Sequence, residues 1–167
     1  MPWIEILLVL FVIITSPVGL VIHELGHLAA ARILMLEVLS FQAGPFMIDW
    51  KNGEGTFRFR PLLWLSAGGV RTRVSAETPM KKRILLTAAG PAASLLFSGI
   101  YWLAPVTDID VMDETDFLQW LLLLLAANSF VVFLLTAFPL RAPPWNYQRV
   151  PTDGYKILAL IRSMNAQ

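Results

Sequence analysis

Two histidines, the only two in the chain, stand four residues apart with a glutamate between them: His23-Glu24-Leu25-Gly26-His27. On an α-helix positions i and i+4 share a face, so both imidazoles can reach one cation. Neutral imidazole suits zinc, and a glutamate inside such a pair lies close enough to act as general base on a water activated there. The motif ends a long apolar run, and ionisable residues in such a setting are costly unless they serve a function.

A catalytic zinc takes three protein ligands and keeps one position open. With no Cys and no third His, the remaining ligand must be a carboxylate. Glu5 is too far along the same helix, about 18 residues and so about 27 Å away. The candidates are Glu37, Asp49, Glu54, Glu77 and Asp153. Asp153 stands out, because Pro151-Thr152-Asp153-Gly154-Tyr155 marks the junction of a loop with an apolar-rich helix. The same position also suits a plain helix N-cap.

The elements that must hold these groups are mostly apolar. The chain has 167 residues, of which 56% are hydrophobic and 15% charged, with a mean hydropathy of +0.63. A soluble domain carries about 25% charged residues, so the composition predicts an integral membrane protein. Disorder is excluded by the aliphatic content, and disulfides and thiol chemistry by the lack of Cys. A net charge of +1 gives no reason to expect nucleic-acid binding.

Three stretches are long and apolar enough to cross a bilayer, which takes about 20 helical residues. They cover about 3–36, 84–103 and 117–138. The first lacks a basic leader and is longer than a signal-peptide core, so a span is expected there rather than a cleaved signal. The connection 37–83 carries eight basic and four acidic residues, the connection 104–116 carries five acidic and no basic ones, and Arg141, Arg149, Lys156 and Arg162 follow Pro139. The positive-inside rule then puts the N-terminus outside and the first connection and C-terminal segment, 139–167, in the cytoplasm. Trp3, Tyr101, Trp102 and Trp120 read as interfacial anchors.

Residues 38–75 are rich in β-formers, with Lys51-Asn52-Gly53 as a turn. Leu62–Leu65 and Ser66–Val70 are apolar but too short to span. A small sheet dipping toward the membrane is expected, with Phe57–Arg60 or Leu62–Leu65 as an edge able to take up an extended peptide. The fold class is therefore a mainly α-helical integral membrane protein, a single domain with a three-helix transmembrane core and a β-sheet between the first and second spans. Pro17 and Gly19 are expected to kink the first helix. Gly90-Pro91-Ala92-Ala93 reads as a close-packing segment, and Lys81-Lys82-Arg83 as a topological signal.

Four segments, in order, resemble the site-2 protease family of intramembrane zinc metalloproteases. They are His23–His27, Phe59-Arg60-Pro61-Leu62 through Gly68-Gly69-Val70, Ala89-Gly90-Pro91-Ala92-Ala93-Ser94, and Phe138-Pro139 followed by Asp153-Gly154. The resemblance is to a minimal member without a PDZ or CBS domain. It implies one zinc per chain held by His23, His27 and Asp153, with Glu24 as the catalytic base. It also implies a transmembrane protein or peptide as substrate, the lipid bilayer as surroundings, and a regulatory membrane partner or prior cleavage controlling access. Where the family has two Asn residues that hold substrate backbone, this chain has Ser94 and Thr136, with Asn128 two turns before Thr136 as a substitute. The segment between Pro139 and Asp153 is longer than in the family.

Two rivals are distinguishable on sequence. A non-proteolytic membrane-protein binder of the same fold would keep a structural metal, for which Glu24 has no use. A metal transporter needs ionisable residues along several spans, and none lies within Ile84–Leu103 or Leu121–Phe138.

Overall fold

The computed structural model describes residues 2–63, 68–75, 77–103, 114–141 and 150–165, without the side chains of 2–5, 7–9, 11–16, 101–103, 114–118 and 120. The acidic segment 104–113, the long insertion 142–149, Trp64 and Leu65, and the expected anchors Trp3, Tyr101, Trp102 and Trp120 (as side chains) lie outside that description.

The described residues are mostly helical, with four helices and one small sheet. α1 spans Pro2–Ile33, α2 Met80–Leu103, α3 Glu114–Ala137 and α4 Asp153–Asn165. α1, α2 and α3 pack pairwise against one another, and the short α4 lies against α2 and α3. Pro17 and Pro91 both lie inside helices rather than at their ends. Helix α2 begins four residues before the apolar run that announces it, because its first turn is the polar Lys81-Lys82-Arg83.

Between α1 and α2 the strands β1 (Glu37–Ala43), β2 (Phe46–Lys51), β3 (Glu54–Phe59) and β4 (Gly69–Arg73) form an antiparallel sheet in the order β3-β2-β1-β4. Asn52 and Gly53 both have positive φ, 53° and 86°, and join Lys51 to its partner Glu54 in a two-residue hairpin. This mirror-image turn matches strand twist, and Asn-Gly is its preferred sequence. Pro61–Leu63 is a single 3-10 turn, so the expected edge strand at Leu62–Leu65 is corrected over Leu62 and Leu63. Pro61 has no backbone N–H to give a ladder, which disfavours strand there.

Among the described residues, Val38 and Phe41 of β1 aside, the interior is small or polar, and much of the outside is large and apolar. Ala31, Ala43, Ala126, His23, Glu24, Ser94, Ser98 and Ser129 are buried, whereas Leu85, Leu96, Ile100, Leu122, Val131 and Leu134 are exposed. Water would disfavour such a surface, and lipid would not. Small inner faces let helices approach closely. At Gly26 a methyl group would meet the backbone oxygen of Ala89 and sit 2.6 Å from Ala93 Cβ, which fixes the α1–α2 approach and agrees with the packing role read for the second-span glycine segment. Among the described residues one segment, Met80–Ile100, is long and apolar enough to cross a membrane, and Leu121–Ala137 is apolar over a shorter length.

Candidate metal centre

Two four-residue stripes build the site. On α1 the inward positions are Gly19, His23, His27 and Ala31, and on α2 they are Leu86, Gly90, Ser94 and Ser98. The helices run in opposite directions, so His27 meets Leu86 and His23 meets Ser94. The His27 Nδ1–H donates to the Leu86 carbonyl at 2.7 Å, and His23 Nδ1 lies 3.2 Å from the Ser94 hydroxyl. A carbonyl can only accept, so His27 carries its proton on Nδ1 and turns Nε2 inward as a lone pair. Ser94 is fully buried and sets His23 in the same way when its hydroxyl accepts from Nδ1. Such partners fix the tautomer and orientation of a metal-binding imidazole.

The third group arrives from α4. Thr152 caps that helix, its Oγ1 accepting from the Tyr155 N–H at 3.4 Å, and its hydroxyl donates back to the Phe138 carbonyl at the end of α3. The capping role that the sequence left open for Asp153 is thereby filled one residue earlier. Asp153 Oδ2 is free to lie 3.1 Å from both His23 Nε2 and His27 Nε2, which are themselves 3.2 Å apart. Gly154 allows the approach, since a methyl group there would run into the Ala137 carbonyl. Burial alone would raise the Asp153 pKa. The imidazoles of His23 and His27 at Oδ2 and the charge of Lys156 outweigh it and hold the carboxyl well below its usual range.

These three residues form a group able to hold a metal ion. Ligand atoms about 2.0–2.1 Å from a tetrahedral zinc stand about 3.3 Å apart, close to the separations here. Two lone pairs and a carboxylate oxygen converging on one point require a cation or a proton between them. Gly90 keeps the space clear, because a methyl group there would collide with Nε2 of both histidines. The donor set and the cradle fit zinc.

Glu24, 5% exposed, lies beside this group with Oε2 buried and without a hydrogen-bond partner. Its other face meets the sheet: a methyl group on Gly68, just before β4, would come within 2.8 Å of Glu24 Oε1 and 2.6 Å of the Gln42 carbonyl. A buried, unsatisfied carboxylate is expensive and needs a reason to be kept.

The family comparison matches peptidase family M50 over residues 7–141. The chain belongs to peptidase family M50. M50 proteins are membrane-embedded zinc metalloproteases, which agrees with a His-His-Asp group able to hold a metal. The match takes in His23–His27, the sheet and α2. It stops before Asp153, so the third ligand lies outside the match and is joined to the two histidines by the geometry. Comparison with curated proteins and with solved structures found no match.

The other carboxylates considered as ligands lie elsewhere. Glu37 pairs with Arg73 at 2.7 Å and Asp49 with Arg58 at 3.7 Å, both on the sheet, while Glu54 and Glu77 are exposed. Of the residues expected to touch substrate, Ser94 faces His23. The Thr136 hydroxyl donates to its own helix, 2.8 Å from the Val132 carbonyl, and Asn128 packs on Gly19, one turn before His23. The sequence reading did not single out the Leu86 carbonyl, the clearance at Gly90 or Lys156, whose Nζ lies 2.9 Å from Asp153 Oδ1. In the sequence Gly90 reads as a packing residue and Lys156 as one of the charges that follow Pro139.

Proposed function

We propose that the chain is an intramembrane zinc endopeptidase that hydrolyses peptide bonds in or next to transmembrane segments of membrane-protein substrates. The observation that carries this reading is the buried convergence of His23, His27 and Asp153 beside Glu24, whose Oε2 is buried and unpartnered. In this reading His23, His27 and Asp153 hold one zinc. When bound, the metal polarises the scissile carbonyl and makes the attacking water more acidic. Glu24 accepts the proton of that water and delivers it to the leaving amine. A purely structural metal has no use for such a group, which disfavours the binder reading.

α1, α2 and α3 are read as three crossings with the N-terminus outside, and the metal lies at their cytoplasmic end, near the cytoplasmic edge of a substrate helix. Such a helix must unwind before cleavage, since its own hydrogen bonds shield each carbonyl. β4 is the edge suited to hold the unwound strand. Among the described residues it has β1 on one side and no strand on the other, and Gly68 brings its start against Glu24. Main-chain pairing there aligns a peptide without reading its side chains. β3, the edge expected from sequence, lies three strand spacings, about 14 Å, farther out. Ser94, Asn128 and Thr136 remain as the candidate polar contacts near the cleft, Ser94 acting through His23.

The test is cleavage of a membrane-helix substrate by the purified protein in detergent. Glu24→Gln should keep its zinc and lose cleavage by about 10³-fold, the scale of a missing general base. A Glu24→Gln protein that cuts like the wild type contradicts this mechanism.

A further inference from the structure

The metal-facing side of Asp153 is one oxygen only. Oδ2 lies against the two imidazoles, and Oδ1 accepts from the Lys156 ammonium at 2.9 Å. Lys156 sits one turn along α4 and is itself half-buried, whereas Asp153 is 7% exposed. Thr152 relieves Asp153 of capping, so its carboxylate is divided between two tasks.

A carboxylate can bind a metal through one oxygen or two. With two histidines present, a two-oxygen Asp153 would add a fifth donor and crowd the position that a hydrolytic metal must keep open for water. We propose that Lys156 is a positioning residue for the metal centre: it holds Oδ1 and restricts Asp153 to a single ligand oxygen. The proposal rests on the zinc reading above. It assigns to Lys156 a role distinct from an ordinary exposed i,i+3 ion pair, which would contribute little and would not touch the metal.

The experiment uses the full chain in detergent, stripped of metal, in wild-type form and as Lys156→Met, Lys156→Arg and, as a charge control, Arg162→Met. Zinc affinity is measured by competition with a chromogenic chelator, and coordination number by the visible absorption of the cobalt(II)-loaded protein. Removing the outer partner of a metal ligand typically weakens binding by about 10-fold or more, and Lys156→Met should show that loss. Its cobalt bands should also weaken toward a five-coordinate spectrum as the second oxygen is released. Lys156→Arg, which can still donate to Oδ1, should restore both readouts, and Arg162→Met should leave both unchanged. Identical affinity and spectrum in Lys156→Met and wild type would overturn the proposal while leaving the metal centre intact. An arginine that behaves like methionine would overturn it as well. A wild type that takes up neither zinc nor cobalt would instead overturn the metal reading on which it stands.

Discussion

The two edges of the sheet differ both in sequence and in what lies beside them. β3 is the more conspicuous: all six residues are exposed, Phe57 by 61% and Phe59 by 52%, alternating with Arg58 and Arg60. β4 is less apolar, and Arg71 and Arg73 lie on it. Yet Gly68, just before β4, lies against Glu24, while among the described residues β3 pairs only with β2, at the far side. Exposure alone therefore does not single out the working edge. The strand that matters is the one whose backbone runs past the buried chemistry, and sheet order decides which that is.

Two variants sharpen the contrast. Gly68→Ala places a methyl group against Glu24 and the Gln42 carbonyl, so either the base or the strand must shift. A displacement of about 1 Å in a catalytic group costs on the order of 10²-fold. Gly68→Ala should therefore cut cleavage by about that factor while zinc content stays at the wild-type level, as read by parallel metal analysis and peptide release. On the other edge, Phe57→Ser removes an exposed ring from a strand distant from the site. Its rate with the same substrate should stay within about twofold of wild type, since surface changes away from special features usually cost little. A larger loss from Phe57→Ser than from Gly68→Ala would move the working edge back to β3.

What the sequence revealed was local. His23–His27 could be read because helical periodicity alone puts both imidazoles on one face. The β2–β3 hairpin could be read because Asn52-Gly53 dictates its own turn. The helices announced themselves by apolar length, although the polar first turn of α2 hid its start. What escaped depends on contacts distant in the chain. The pairing of β4 with β1 joins Gly69 to Gln42 across the whole β segment, and nothing in residues 69–73 specifies that neighbour. A backbone carbonyl such as Leu86 has no side-chain signature at all. Ser94 was visible as a polar residue in an apolar helix, but only the antiparallel packing of α1 and α2 turns it toward His23. Gly90 read as a packing residue, and it took both imidazoles to show what its missing side chain leaves clear. Asp153 could be shortlisted, since a carboxylate at a helix start is a recognisable pattern. Choosing between cap and ligand required knowing that Thr152 already does the capping.

The central claim is that Asp153, arriving from a helix outside the matched family segment, completes a zinc site with His23 and His27. It is tested most directly by zinc content per chain in the purified wild type and in Asp153→Ala, with folding checked by thermal unfolding. One zinc per wild-type chain is expected, with loss of that zinc in a folded Asp153→Ala protein. Full retention of zinc in Asp153→Ala would contradict it and place the third ligand on another carboxylate.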